Sequence, residues 1–387
     1  MNNIIDLAVL PRRYIKLAMM IFIAFITFLS TNQLSAAEVT KKFVINSSVE
    51  RDSNPDLSER NTNPVWIYTL APQFLLDVDD ELNRWYIDAA VLFQKHSNER
   101  VLVDREDPKL AAGWDRTYAS GKYGVRLNYI ESSARIAELK TSGVFDNIDN
   151  TLKIKTVSTN WLHNIDSKWS NLAEASFSDI QFTAPGRFQN YRLGDIKTRL
   201  SYEYTEKINT SFLLGYAHLR PEQLFKSTDL FRFGLGADYQ LNEALTLSAR
   251  AGIYDLNGRQ SDTDWEAGLK AGYINDRSAY STELFRELTA SGLGGFQKVD
   301  TFAIKWLFNK SSHDRLGVDY GISKSKRDRE VNLNPVEFQQ LGGFYEYDIS
   351  TKWKTRVYAT YKDQETDTSN SHGNLIGISL TYDTLSF

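Results

Sequence analysis

The sequence predicts an all-β fold: a transmembrane, up-and-down antiparallel β-barrel of about 18 strands (roughly 16 to 20). Three observations support this prediction. Apolar and polar residues alternate with a period of two in consecutive segments, short and long connections follow each other in turn, and aromatic residues gather at the segment ends.

The alternation is clearest between Thr228 and Asn275. From Phe231 to Tyr239, one face is apolar and aromatic, and the other face carries Arg232 and Asp238 among glycines. A soluble β-sandwich also buries one face of each strand, so alternation alone leaves both folds open. The charges on one face and the aromatics at the strand ends favour lipid outside and water inside.

The rest of the chain repeats this unit, although less regularly in its first half. An even number of strands brings both chain ends to the same side of a barrel, and long connections are expected on the other side. The predicted strands are 43–53, 66–78, 84–95, 108–118, 121–132, 151–164, 168–180, 192–206, 208–218, 228–241, 244–255, 263–274, 278–288, 299–309, 314–324, 336–348, 351–362 and 373–387. The predicted long connections are 54–65, 96–107, 133–150, 181–191, 219–227, 256–262, 289–298, 325–335 and 363–372.

Composition excludes several other classes of protein. The mean hydropathy of −0.41 and the lack of a long apolar segment after the leader exclude a helical membrane protein. Cysteine is absent, which excludes disulfides, thiolate metal sites and a cysteine nucleophile. The formal net charge of −4 argues against nucleic acid as a partner. Aromatic residues make up 13% of the chain, enough for belts at two membrane interfaces.

Residues 1–37 resemble a secretory signal peptide. Basic Arg12, Arg13 and Lys16 precede an apolar core at 17–29, and small residues at 35–37 predict cleavage before Glu38. A single anchoring helix is the alternative, but the apolar core is short for a membrane span. We therefore expect the mature chain, 38–387, to form one barrel domain in the outer membrane of a Gram-negative bacterium.

The chain ends on Phe387, after Ile376, Ile378, Leu380 and Tyr382 in alternation. A terminal aromatic residue on an amphipathic last strand resembles the signal that outer-membrane barrels present for assembly. We therefore expect outer-membrane lipids and the barrel-assembly machinery as partners. Phe387 has the opposite parity to Tyr382, so either a bulge restores the register or the last residues leave the sheet.

A search for catalytic chemistry finds one candidate, His96 followed by Ser97. Hydrolysis needs an oriented base, a nucleophile and an oxyanion site, and no fuller motif accompanies this pair. The histidines have no metal-ligand spacing, and no phosphate-binding glycine motif is present. We predict a protein that is not an enzyme and has no cofactor, with an outer-membrane hydrolase using His96 and Ser97 as the alternative.

The inward faces of the strands carry the candidate functional residues. At about eighteen strands the interior is too wide for side chains to fill, which leaves an aqueous path unless loops plug it. An excess of basic residues would favour anionic solutes, although an error of one residue in register would invert any strand. The predicted pore-lining residues are Arg126, Arg199, Arg232, Arg250, Lys270, Lys305, Arg356, Asp238, Glu266 and Asp319. A plugged barrel with a structural or adhesive role is a further alternative.

Ser48–Pro55, followed by Leu70-Ala71-Pro72 in the next strand, resembles the outer-membrane β-barrel porin family 2. Members of that family include barrels associated with exopolysaccharide biosynthesis. The resemblance implies an outer-membrane channel for polysaccharide export, with polysaccharide-export proteins as partners. It brings no catalytic residues. The solute, the oligomeric state and the openness of the pore do not follow from the sequence.

Overall fold

The computed structural model describes residues 38–59, 62–141, 150–183, 188–222, 226–258, 261–325, 336–367 and 369–384. These residues form one closed, antiparallel 18-stranded barrel. Each strand pairs with its neighbours in sequence, and the first strand pairs with the last. The barrel forms one compact unit.

The wall consists almost entirely of long strands. One helix, α1 (Ala134–Thr141), lies in the part of the chain described above. The strands are β1 (Glu38–Asp52), β2 (Val65–Asp79), β3 (Asn83–His96), β4 (Arg105–Tyr118), β5 (Gly121–Ser133), β6 (Thr151–Asn164), β7 (Trp169–Phe182), β8 (Tyr191–Thr205), β9 (Ile208–Pro221), β10 (Thr228–Gln240), β11 (Leu245–Gly258), β12 (Asp262–Ile274), β13 (Ser278–Ser291), β14 (Gly295–Asn309), β15 (Asp314–Ser325), β16 (Val336–Asp348), β17 (Trp353–Thr366) and β18 (Asn370–Asp383).

The predicted fold class and strand number are confirmed, and most strand ends lie within a few residues of the prediction. Four predicted long connections differ. β17 and β18 extend into 363–372 and leave 367–369 between them, and β11 and β12 leave 259–261 of the predicted 256–262. Much of 289–298 continues β13 and β14, so only 292–294 connects these strands, and 133–150 contains α1. The predicted signal peptide and the question of the register at Phe387 lie outside the described residues.

The outer wall is apolar. Leu235 lies opposite Ala251, and Ile253 lies opposite Trp265, so the ladder brings the alternating apolar residues of β10, β11 and β12 onto one surface. Their side chains are exposed, which is the reverse of a soluble sheet, where burying such side chains drives folding. This surface therefore needs lipid around it.

Aromatic residues mark both edges of the apolar surface. Near the short connections the rings of Trp85 and Trp114 stack at 5.4 Å between centroids, and those of Trp353 and Tyr382 lie 4.8 Å apart. On β12, Trp265 lies near the long connection and Tyr273 near the short one. At about 3.4 Å per residue and a tilt of about 40°, these two residues are separated by roughly 20 Å along the barrel axis, close to the height expected of a lipid-facing band.

None of the helices in the described residues is long and apolar enough to cross a membrane.

Most of the short connections share one stabilising arrangement. In the turn between β6 and β7, the Asp166 carboxylate accepts hydrogen bonds from the backbone N–H groups of Lys168 (2.7 Å) and Trp169 (2.8 Å). These two donors hold the pKa of the Asp166 carboxyl below its usual range, because they stabilise its charged form. Side-chain oxygens accept from backbone N–H groups in the same way at Asp80, Asn242, Asn275, Ser311 and Ser350.

Candidate functional site: the barrel lumen

Strand register identifies the face that lines the lumen. Arg232 lies opposite Gly215 and Tyr254, and Arg126 lies opposite Gly113 and Ser158. All these residues alternate with the exposed apolar side chains of the outer wall, so they lie on the inner face. The same alternation puts the other predicted pore-lining residues on that face: Arg199, Arg250, Lys270, Lys305, Arg356, Asp238, Glu266 and Asp319. Their part in conducting solutes stays a prediction.

The β13–β14 hairpin tip, residues 287–298, leaves the wall and enters the lumen. The last pair between β12 and β13 joins Ala267 and Arg286, so the tip has no strand partner on that side. Leu288, Leu293 and Phe296 of the tip are buried in one apolar cluster with inward residues of β6 to β11. The wall residues of this cluster are Leu152, Ile180, Phe182, Tyr191, Ala217, Leu219, Leu230, Tyr254 and Leu256. An apolar core therefore fills part of the barrel interior at the end with the long connections.

Hydrogen bonds hold the tip in place. Gly292 donates its N–H to the Glu138 carboxylate of α1 (3.0 Å), and its carbonyl accepts from the N–H of Gln189 (2.7 Å). The Arg232 guanidinium donates to the Leu288 carbonyl (2.6 Å) and lies 3.6 Å from Glu266. Glu138 is only 3% exposed, so its charge is desolvated inside the barrel.

Glycine is required in the tip for two different reasons. A Cβ atom on Gly292 would lie 2.7 Å from the Phe182 ring and 2.8 Å from the Phe188 ring, closer than such contacts allow. Gly294 has a φ of 80°, which L side chains rarely adopt. The tight fit of the tip therefore depends on the absence of side chains at these two positions.

Other connections narrow the same end. Arg135 of α1, 4% exposed, forms an ion pair with Asp56 in the connection between β1 and β2. Leu102, in the connection between β3 and β4, packs against the inward residues Val65 and Ile67 of β2. Several connections thus cover the inner wall at the long-connection end.

Carboxylates that the sequence reasoning overlooked pair with several of the predicted cations. Arg250 lies 2.8 Å from Glu287, and Lys270 lies 3.1 Å from Glu283. Both glutamates belong to β13 and share its inward parity with Phe285, so the alternation along the predicted strand 278–288 could have revealed them. These pairs reduce the basic excess expected from the sequence.

Four predicted cations have no carboxylate within 4.0 Å among the described residues: Arg126, Arg199, Lys305 and Arg356. The first three are exposed, and Arg356 is half-buried. Asp238 and Asp319 likewise have no cation within 4.0 Å in the same part of the chain. The lumen therefore holds charges of both signs without a partner, with a small excess of cations among the predicted residues.

Two arginines stack on phenylalanine rings that lie over glycine. Phe344 lies directly opposite Gly317, where a Cβ atom would overlap its ring, and the Arg356 guanidinium lies 3.5 Å from the ring centroid. Phe285 lies in the same way over Gly268, with the Arg250 guanidinium 4.7 Å from its centroid. Such contacts between cations and rings fix the direction of a long side chain.

His96 and Ser97 are not arranged as a catalytic pair. The His96 side chain is 3% exposed, and its Nδ1 lies 3.8 Å from the Asp104 carboxylate. The Ser97 hydroxyl accepts a hydrogen bond from the backbone N–H of Trp66 (2.9 Å). Because the His96 side chain is buried, a substrate cannot reach it, which weighs against the hydrolase alternative.

No protein-family model matches the sequence, and no curated protein matches it either. The resemblance drawn from Ser48–Pro55 therefore stays a prediction. Solved structures do match the barrel. Acinetobacter baumannii OccAB4 is similar with a TM-score of 0.51 and 12% identity, over 92% of this chain and 100% of that chain.

Two further structures are similar to the same extent. Acinetobacter baumannii OccAB2 has a TM-score of 0.53 and 8% identity, over 90% of this chain and 98% of its own. Pseudomonas aeruginosa OpdQ has a TM-score of 0.51 and 9% identity, over 90% of this chain and 98% of its own. At these identities the likeness establishes the fold. A closed barrel with an apolar wall between two aromatic belts places the chain in a bacterial outer membrane, as the sequence predicts.

Proposed function

We propose that this chain is an outer-membrane channel for polar solutes, narrowed at its long-connection end by the β13–β14 hairpin tip. The observation that carries the proposal is the position of the tip, whose Leu288, Leu293 and Phe296 pack on the inner wall. A constriction on one side of a wide, charged lumen limits the size of the solute and brings it close to the wall charges.

We further propose a modest preference for anions. Arg126, Arg199 and Lys305 point into the lumen without a carboxylate within 4.0 Å in the described chain, so their charges remain available to a passing solute. The preference should be modest, because Asp238 and Asp319 also have no cation within 4.0 Å among the residues that the structure describes. Small solutes fit the narrowed lumen better than an exported polysaccharide does. A polymer would require the tip to leave the apolar cluster and widen the passage.

The test is single-channel recording on the mature chain refolded into planar bilayers. We expect steady conductance steps and a reversal potential that shows a slight anion preference. A barrel that migrates in gels as a folded, heat-modifiable protein but gives no conductance would contradict the channel and favour the plugged, structural alternative. A clear cation preference would contradict the proposed selectivity alone.

A further inference from the structure

We propose that Arg51, Trp66, Tyr68 and Lys95, which we call the lipid-phosphate patch, bind the phosphate group of a membrane lipid. The patch lies on the outer wall of β1 to β3, near the long connections. It does not depend on the proposed channel function, because it lies on the opposite face of the wall from the lumen.

Two cations flank two exposed rings in the patch. The Arg51 guanidinium on β1 lies 5.9 Å from the centroid of the Trp66 ring, and Lys95 on β3 lies opposite Tyr68. Trp66 is 45% exposed and Tyr68 is 49% exposed. Neighbouring strands lie about 4.8 Å apart, so the two cations are separated by roughly 10 Å across β2. A lipid headgroup can span this distance.

Neither cation has a carboxylate partner within 4.0 Å in the residues that the structure describes. Other outward cations near the long connections do have one: Lys153 lies 3.3 Å from Glu131, and Lys324 lies 3.1 Å from Glu337. The Arg286 guanidinium lies 2.6 Å from Asp300. At these three positions, then, the charge is neutralised by the protein itself.

Lys155 and Arg220 also lie on this wall without a carboxylate within 4.0 Å in the described chain, but their surroundings differ. Lys155 lies opposite Asp179 in register, and Arg220 lies opposite Arg192. Neither position has two exposed aromatic rings between two cations. The combination in the patch is suited to a phosphate at the membrane interface, where rings and basic side chains both prefer to lie.

The surface below the patch favours a lipid over free phosphate. Towards the membrane centre, Val49, Leu70 and Ile378 are all exposed on the same wall. A lipid can place its phosphate between the two cations and its acyl chains along these residues, and so gains from both contacts. Inorganic phosphate would gain only the contact with the cations.

The test is native mass spectrometry of the folded chain in detergent, titrated with the diphosphorylated glycolipid lipid A. We expect the Arg51→Gln/Lys95→Gln variant to bind this lipid about tenfold more weakly than the unaltered chain. The Lys153→Gln/Lys324→Gln variant loses the same number of cations from the same wall and should bind as the unaltered chain does. Heat-modifiable migration checks that every variant is folded.

Four results would overturn the proposal. The first is unchanged binding by the Arg51→Gln/Lys95→Gln variant, and the second is equal weakening in the Lys153→Gln/Lys324→Gln variant. The third is equal binding of lipid A and its dephosphorylated form. Millimolar inorganic phosphate should not displace the lipid; if it does, the patch binds the phosphate ion alone.

Discussion

The stacked arginine Arg356 is the clearest case of a single residue whose direction is fixed by its neighbours. Its guanidinium lies over the Phe344 ring, 3.5 Å from the centroid, and Phe344 has room to lie against the wall only because Gly317 has no side chain. Arg250 is stacked on Phe285 in the same way but is also paired with Glu287. No carboxylate lies within 4.0 Å of Arg356 in the described residues; Glu346, opposite it in register, lies 3.3 Å from Arg315 instead.

We expect Arg356→Gln to lower the anion-to-cation permeability ratio of the channel roughly twofold, because a fixed positive charge leaves the lumen. Reversal potentials in a salt gradient measure this ratio. The control is the double variant Arg250→Gln/Glu287→Gln, which removes a stacked arginine without changing the net charge, and its ratio should stay near that of the unaltered chain. An equal ratio in Arg356→Gln and the unaltered chain would exclude Arg356 from selectivity.

Gly317→Ala should destabilise the barrel by about 1–3 kcal/mol, because the new methyl group overlaps the Phe344 ring and forces it off the wall. Gly321 is the matched control. It lies on the same strand and face, and the nearest atom to a Cβ there is 3.9 Å away. Urea unfolding of the two variants in lipid vesicles gives the comparison. Equal stability of the two would mean that Phe344 moves aside freely.

At the scale of the element, the β13–β14 hairpin combines two kinds of structure. The part of the hairpin far from the tip belongs to the wall and pairs with β12 and β15. The tip packs in the apolar cluster inside the barrel. Wall and tip are therefore stabilised by separate interactions. A change in the tip can free it while the wall keeps its hydrogen bonds.

Leu293→Asp should release the tip and raise the single-channel conductance, by roughly twofold or more, since a charge buried in an apolar cluster is strongly unfavourable. The barrel should remain heat-modifiable. Glu138→Gln is a milder control, because the amide oxygen can still accept the hydrogen bond from Gly292. An unchanged conductance in a folded Leu293→Asp barrel would show that the tip does not limit passage.

The short turn after β6 provides a prediction for pH. The lowered pKa of Asp166 means that its carboxylate stabilises the folded state at neutral pH, and that this contribution is lost as the pH falls through the folded-state pKa. Asp166→Asn keeps the acceptor and should lose less stability on acidification than the unaltered chain. Asp166→Ala should be less stable at neutral pH. Thermal unfolding at pH 7 and pH 3 compares them, and identical acid sensitivity of all three chains would contradict the role of the charge.

At the scale of the whole molecule, the sequence is sufficient to predict the barrel, its approximate strand number and the parity of the clearly patterned strands. Lipid on one side and water on the other impose the same alternation on every strand. Even β4 and β6, whose alternation is weak, could therefore be predicted from the strands beside them. The sequence is insufficient for the tip. Leu288 ends the predicted strand 278–288, and Leu293 and Phe296 lie in the predicted connection 289–298. Nothing in the pattern shows that they pack together, because their partners lie on β6 to β11, far away in sequence.

The motif Ser48–Pro55 acquires a structural meaning that the sequence could not provide. Asn54 is fully buried, and its side-chain amide donates to the carbonyls of Ser58 (3.0 Å) and His372 (2.9 Å). Lys362 of β17 pairs with Asp52 at 2.5 Å. These contacts join the first connection to the last two strands at the place where the barrel closes. The motif thus supports closure, whatever solute the channel passes.

Closure also brings the two ends of the barrel sequence side by side. Val44 lies opposite Asp383 in the seam between β1 and β18, and the N–H of Thr384 donates to the carbonyl of Phe43 at 2.9 Å. A short peptide could link these ends, and the chain could be cut instead at another turn of the same rim, such as the one between Ile274 and Ser278. Such a permuted chain would keep every strand neighbour but change the order in which the strands are synthesised. It would therefore separate the effect of sequence order on assembly from the effect of the finished fold.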